Sequence, residues 1–326
     1  MSILVTGATG LLGSVLTRQL VEADADVRIF RRTTSLLDLL GDTSDRVEHA
    51  IGDVRDARSV ARAMDGIQHV YHTAAKIGFA SGDRAALRAV NVGGTANVVN
   101  AALATGVERV VHTSSMAAFG RPARPDGTVD EDTAWESGAD RSDYAQSKYD
   151  AELEVHRGIA EGLDAVLVNP SLIFGVGRSG DNTRRIVDAV RDGWAKAAPP
   201  GCTNVVDVED VAEAHRRALH CGATGRRYFV GSETLSWMEI LRTLADAFGI
   251  DPPTRTVPPA LLKSGAVLSE ALAFVTRTDP LLSRRLAQTA LRQHTYSNRR
   301  AVEELGCSFR PFADTVQRIA AALRTA

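Results

Sequence analysis

Across its first 170 residues the chain alternates compact apolar runs with helical stretches, and no other feature restricts its fold so much. Ser2–Thr6, Val27–Phe30, Val47–Ile51, Ile67–His72, Val107–Thr113 and Val166–Asn169 read as strands. Between them, apolar spacing predicts helices through Leu16, Leu20 and Val21, and over Arg58–Met64, Asp83–Ala104 and Ser142–Ala160. Short apolar runs that lack a polar face need cover on both sides, and intervening helices supply it. The expected fold is α/β, a doubly wound parallel sheet.

The first run leads into Thr6-Gly7-Ala8-Thr9-Gly10-Leu11-Leu12-Gly13 and then a helix. Strand, glycine turn and helix in that order make a phosphate-binding turn. Gly7 permits the turn, Gly10 lets the backbone approach a pyrophosphate, and Gly13 lets helix and strand pack closely. The second strand is followed by Arg31-Arg32-Thr33-Thr34-Ser35, where an NAD site usually places an acid. Guanidinium groups there can bind a 2′-phosphate bidentately, so NADP(H) is favoured and NAD(H) is the alternative. Asp53 ends the third strand, where a carboxylate can accept from an adenine amino group. Thr73-Ala74-Ala75 end the fourth strand in small residues, so a cofactor can lie close to the backbone. Gly93 and Gly94 inside the long helix each cost about 1 kcal/mol relative to alanine, which close packing would explain.

After Pro170 the pattern loosens. Gly175, Gly177 and Gly180 mark a loop, Ile186–Val190 a helix, and Tyr228–Val230 a strand. Asp207-Val208-Glu209-Asp210 resembles a metal cluster, but Asp207 as the cap of a helix over Val208–Leu219 explains it better. The expected organisation is a dinucleotide-binding domain over 1–170, with 203–230 returning to it. Segments 171–202 and 231–326 then form a smaller, mostly helical substrate region. Arg121–Asp140 reads as a loop. Ala260–Val275 reads as an amphipathic helix whose Leu261, Leu262, Val267, Leu268 and Phe274 suit a pocket lid better than a membrane-surface patch.

Bulk chemistry excludes several functions. With 38 basic and 40 acidic residues there is no basic field for nucleic acid. Cys202, Cys221 and Cys307 are odd in number and scattered, which points to a reducing, cytoplasmic setting and away from disulfides or thiolate metal sites. His69 and His72 fall on opposite faces of one strand, so no metal is expected. Met1-Ser2 runs straight into the first strand, so no leader is expected, and no apolar stretch reaches the roughly 20 residues of a membrane span.

Tyr144 and Lys148 stand four residues apart in the last predicted helix of the alternation, on one face. A neighbouring ammonium favours the phenolate, which would fit Tyr144 for proton transfer near neutral pH. Ser114-Ser115 end the preceding strand, where a parallel sheet opens its ligand crevice.

Together these features resemble the extended short-chain dehydrogenase/reductases, the NAD-dependent epimerase/dehydratase family. Thr6–Gly13 is similar to the family's T-G-x-x-G-x-x-G, Asp53 to its strand-end acid, and Asn91–Thr95 to its N-V-x-G-T. Val111–Gly120 is similar to its Ser-Ser segment, Tyr144/Lys148 to its Y-x-x-x-K, and Asn169–Ser171 and Val206–Ala212 to two later motifs. Arg31-Arg32 and Asn169-Pro170-Ser171 look most like the dihydroflavonol-4-reductase-like group, with its steroid dehydrogenase-like members. The resemblance implies that Tyr144 is the acid/base and that Lys148 holds the nicotinamide ribose and lowers the tyrosine pKa. It implies that Ser115 bonds the substrate oxygen, with Ser114 as the alternative, and that Asn91 supports Lys148 through a water. It also implies cofactor contacts at Gly7, Thr9, Gly10, Leu11, Leu12, Gly13, Asp53, Val54, Thr73, Ala74, Ala75, Pro170 and Ser171, and a homodimer through the Asn91 and Tyr144 helices. The expected activity is NADP(H)-dependent interconversion of a ketone or aldehyde and an alcohol, on a small, fairly apolar substrate. An NDP-sugar epimerase/dehydratase with tightly bound NAD is the first alternative, weakened by Thr203-Asn204-Val205 where sugar-nucleotide binders often carry arginine. A non-catalytic dinucleotide sensor is the second.

Overall fold

Apolar runs without a polar face line up side by side under helices on both sides. The computed structural model describes residues 1–78, 82–120, 122, 127–136, 141–276 and 284–325. Seven runs form one parallel sheet: β1 (Ser2–Thr6), β2 (Asp26–Arg31), β3 (Glu48–Ile51), β4 (His69–His72), β5 (Arg109–Thr113), β6 (Ala165–Pro170) and β7 (Arg227–Val230). Their order is β7-β6-β5-β4-β1-β2-β3, the doubly wound sheet expected from the alternation.

Within the strands at the middle of the sheet, side chains alternate between two cores. Ile3, Val5, Ile29, Val111 and Val166 share one with the helices Leu11–Glu22 and Val208–Cys221. Leu4, Phe30, Val70, Val110 and Leu167 share the other with residues of the helices Gly94–Thr105 and Asp143–Ala160. β1 lies between β2 and β4, with Thr6 level with both Phe30 and His72. The winding direction reverses there, so the crevice opens at the ends of β1 and β4.

The helix expected over Asp83–Ala104 is broken. Arg84–Leu87 is α-helical, Arg88–Gly93 forms a π turn, and Gly94–Thr105 resumes α geometry. A Cβ on Gly94 would lie 2.9 Å from Cγ2 of Val54, so this glycine lets the helix rest on the end of β3. Gly93 has no such neighbour, its nearest being the Arg88 carbonyl at 3.9 Å, so close packing accounts for Gly94 alone. The π turn buries Asn91. Such turns occur mostly as single insertions and often at functional sites.

A second sheet of Leu172–Phe174, Cys202–Asp207 and Glu233–Ser236 builds the remaining core. Phe174, Val205, Ile240 and Val316 meet there, under the helices Asn182–Arg191, Trp237–Phe248 and Phe312–Thr325. Of segment 203–230, Arg227–Val230 is β7 and Val208–Cys221 packs on Leu11–Glu22, while Cys202–Asp207 is the middle strand of the second sheet. The Asp207 carboxylate accepts from the Glu209 amide at 2.8 Å, as a cap should, and also takes Arg318 at 2.6 Å. Among the described residues no group of His, Cys, Asp and Glu is placed to hold a metal ion.

The helix expected over Ile186–Val190 runs from Asn182 to Arg191. The loop expected over Arg121–Asp140 lies partly outside the described residues. Its Thr128–Val129 instead pairs as a short strand with Thr295–Tyr296. In the helix Pro259–Thr276, Leu262 and Ala266 pack on Ala287 and Ala290, while Leu261, Val267, Leu268 and Leu272 are each more than half exposed. The Phe274 side chain, assigned above to the same apolar face, lies outside the described residues. Among the described residues no helix is long and apolar enough to cross a membrane.

Candidate active site

The glycine turn is tight at two positions and open at the third. Gly7 has φ +73°, and a Cβ there would lie 2.6 Å from the Ala74 nitrogen. A Cβ on Gly13 would lie 2.2 Å from the Gly7 carbonyl oxygen. At Gly10 the nearest atom would be that same oxygen at 3.4 Å. Gly10 heads the helix Leu11–Glu22, and no side chain caps it. Uncapped amides at a helix start, with a partial positive charge and no side chain in the way, suit a phosphate. Thr9 is partly buried beside them, and Leu12 is buried.

A directional chain of hydrogen bonds ties this turn to the next strand and to the π turn. The Ala74 amide donates to Thr6 Oγ1 at 3.3 Å, and Thr6 Oγ1 lies 2.7 Å from His72 Nδ1. His72 Nε2 lies 3.0 Å from Thr95 Oγ1, which donates to the Asn91 carbonyl at 2.6 Å. Because the Thr95 proton goes to Asn91, the His72 proton must sit on Nε2, and Nδ1 then accepts from Thr6. Burial pushes His72 down to about 3, in keeping with this neutral tautomer. The Thr73 hydroxyl adds a bond to the Thr6 carbonyl at 2.7 Å, while Ala75 is exposed.

The helix Asp143–Ala160 starts at Ser142, whose side chain accepts from the Ala145 amide at 3.0 Å. It carries Tyr144, Lys148 and Glu152 on one face, toward the ends of β5 and β6. The Tyr144 phenol lies beside the Ser115 hydroxyl, which counters the rise that burial imposes on it. Ser114 does not share that role, because its hydroxyl donates to Glu152 Oε1 at 2.5 Å. Lys148 is buried and donates to the Thr113 carbonyl at 2.7 Å. Burial pushes its ammonium down to about 8.

The expected lowering of the Tyr144 pKa by Lys148 is not seen. Burial raises the phenol, the Ser115 hydroxyl opposes that rise, and the ammonium is turned to Thr113. The direct bonds of Asn91 go to other residues than Lys148: its amide donates to Ser147 Oγ at 2.9 Å and to the Lys76 carbonyl at 3.0 Å, and its oxygen accepts the Lys76 amide at 2.7 Å. It braces the loop after β4 against the Tyr144 helix. Pro170 and Ser171 close β6, and Ser171 Oγ and Asn169 Oδ1 are buried with no partner among the described residues. A buried polar atom left unpaired costs about 1–3 kcal/mol, which a polar ligand or a water at these two atoms would offset.

The two arginines after β2 differ. Arg31 donates to His49 Nδ1 at 2.9 Å and to the Arg32 carbonyl, which ties it to the sheet edge. Among the described residues the Arg32 guanidinium makes no hydrogen bond, and its charge helps lower Asp53. Most of that lowering comes from Arg55, which grips both Asp53 oxygens at 2.7 and 3.0 Å. Val54 is buried, and its carbonyl accepts from Asn97 at 2.8 Å. Two residues at the site escaped sequence reasoning. Glu152 had a signal, its spacing from Tyr144 and Lys148. Arg178 had none: from the loop after Phe174 it donates to the Thr9 carbonyl at 2.8 Å and to Asp38 at 2.5 Å.

A sequence profile described as the NAD dependent epimerase/dehydratase family matches residues 3–231. The chain is similar to a protein named sterol demethylase protein B from Methylococcus capsulatus, 36% identical over 324 residues that cover 97% of each chain. It is similar to a putative dihydroflavonol 4-reductase from Synechocystis, 32% identical over 313 residues, 93% of this chain and 88% of the other. The crystal structure of gox2253 superposes with a TM-score of 0.86 at 33% identity, covering 99% of this chain and 98% of that one. The chain therefore belongs to the NAD-dependent epimerase/dehydratase family of extended short-chain dehydrogenase/reductases and is an oxidoreductase of that family.

Proposed function

We propose that the chain is an NADP(H)-dependent oxidoreductase interconverting a ketone or aldehyde and its alcohol. The observation that carries this reading is the Tyr144 phenol beside the Ser115 hydroxyl, one helical turn from the buried Lys148. When bound, a nicotinamide dinucleotide supplies or accepts the hydride. Gly7, Gly10 and Gly13 would hold its pyrophosphate at the helix start, and Ser171 Oγ would meet its polar nicotinamide end. In reduction, charge grows on the carbonyl oxygen. Ser115 donates a hydrogen bond to that oxygen, and Tyr144 delivers the proton that completes the alcohol. A phenol raised by burial is protonated at neutral pH, as a proton donor must be. In oxidation the same groups act in reverse, with Tyr144 as base.

Relatives named for a sterol and for a dihydroflavonol support a fairly apolar substrate. Thr203, Asn204 and Val205 are buried in the second sheet and present no cation to a diphosphate, which disfavours a sugar nucleotide. Intact Ser115, Tyr144 and Lys148 disfavour a non-catalytic sensor. A homodimer through the Asn91 and Tyr144 helices belongs to the same reading, and Leu153 stands 48% exposed on the latter.

The test follows NADPH absorbance with ketones and aldehydes of graded size. Turnover is expected, with no NAD released from the denatured protein; tightly held NAD and no net NADPH consumption would favour the epimerase. Arg32→Ala should raise KM for NADPH about 10–100-fold, the worth of one charge-assisted hydrogen bond, and leave KM for NADH nearly unchanged. Arg31→Ala should do less, because His49 already holds that guanidinium. Equal effects on both cofactors would sink the phosphate assignment.

A further inference from the structure

One buried carboxylate behind the site joins the ends of β5 and β6. Glu152 is 2% exposed and lies two turns beyond Tyr144 on the same helical face. Its Oε1 accepts from Ser114 Oγ at 2.5 Å and from Asn169 Nδ2 at 2.6 Å. The same Asn169 amide also donates to the Ser115 carbonyl at 3.1 Å. Oε2 faces Arg227 Nη1 at 3.5 Å. Around Lys148, the titratable groups among the described residues are His72 and His112 from β4 and β5, and Tyr144 and Glu152 from its own helix. Both histidines are held neutral by burial. Asn91, Thr95 and Asn169, from the neighbouring elements, carry no charge. Glu152 stands one helical turn from Lys148 on the same helix, each 2% exposed, so its carboxylate acts on the ammonium through the buried interior without a direct ion pair.

We propose that Glu152 is a positioning residue of the site: its carboxylate holds the Ser114–Ser115 segment in register and serves as the countercharge of Lys148. The inference rests on the oxidoreductase reading for its catalytic meaning. A plain ion pair tying helix to sheet would need Arg227 alone. Here one oxygen is given wholly to the two residues that flank and anchor Ser115. Burial pulls Lys148 down to about 8 and Glu152 opposes that pull, so loss of the carboxylate charge moves the lysine further down. The ammonium is present below its pKa, and its contribution is then lost at a lower pH.

The chain has four lysines, Lys76, Lys148, Lys196 and Lys263, so the side-chain Cε resonances can be assigned by Lys→Arg substitution and titrated. Glu152→Gln keeps an oxygen for Ser114 and Asn169 but removes the charge. It should lower the Lys148 midpoint by about one pH unit and move the alkaline limb of kcat/KM with it. Arg227→Met breaks the same ion pair and removes a competing cation, so it should raise the midpoint. A merely structural pair predicts no opposite shifts; an unmoved midpoint in Glu152→Gln, or both variants moving the same way, overturns the proposal. Should Glu152→Gln not fold, Arg227→Met decides alone: an upward shift supports the proposal, and an unmoved or downward one overturns it. Asn169→Ala should reduce kcat about tenfold or more with the Lys148 midpoint in place, and unchanged kcat would overturn the register half. The titration needs neither substrate nor dinucleotide, so failure of the oxidoreductase reading would show separately, as absent turnover in the native protein.

Discussion

Tyr144→Phe should lower carbonyl reduction by about a thousandfold, within the range a positioned general acid contributes. Stability should change by less than about 1 kcal/mol. The lost hydroxyl lies beside Ser115, whose Oγ still accepts from the Ala117 amide at 3.2 Å, so the serine keeps a partner. The ring keeps its volume in a partly buried site, which spares the packing. What would vanish is the proton that Tyr144 is proposed to deliver to the substrate oxygen. Ser115 and the bound dinucleotide would still orient the reactants, which accounts for a residue of activity. The measurement is steady-state NADPH oxidation beside calorimetric melting. A variant that melts normally and works within tenfold of the native protein would place the acid elsewhere.

Gly13→Ala and Gly10→Ala should separate folding from dinucleotide binding. The methyl of Gly13→Ala would fall 2.2 Å from the Gly7 carbonyl oxygen, a backbone atom in a buried turn. Helix and strand must part, with an expected loss of about 3 kcal/mol and of binding as well. At Gly10 the φ of −86° accepts any residue and the nearest contact is 3.4 Å, so urea unfolding should be unchanged within about 0.5 kcal/mol. Its methyl would nevertheless hold the pyrophosphate off the amides, and affinity should fall about a hundredfold. Urea titration and NADPH binding by fluorescence test both together. If Gly10→Ala binds normally, the turn is structural and the dinucleotide lies elsewhere.

The parallel sheet was legible because burial on both faces leaves only apolar residues in a strand, and that bias survives in a single sequence. Its register end, where Thr6, Thr73, Thr113 and Pro170 meet the crevice, follows from strand order. The π turn at Arg88–Gly93 was not legible. A helical period does not distinguish one extra residue per turn, so Asn91 read as part of a continuous helix. Chain proximity also misled at Lys148. Four residues of separation predict an ammonium beside the phenol, yet the ammonium donates to the Thr113 carbonyl instead.

By itself the sequence determined the layer architecture, the glycine turn and the Tyr-x-x-x-Lys face, since each depends on local spacing and on residue size. Tertiary structure alone decided which serine lies beside the phenol, which arginine makes no hydrogen bond among the described residues, and that Glu152 bonds Ser114 and Arg178 bonds Thr9. Those choices join residues up to 169 positions apart, as Arg178 to Thr9. They are set by competition for hydrogen-bond partners, which no local pattern records: Ser114 is claimed by Glu152 and Arg31 by His49, while Ser115 lies beside the phenol and the Arg32 guanidinium makes no hydrogen bond among the described residues.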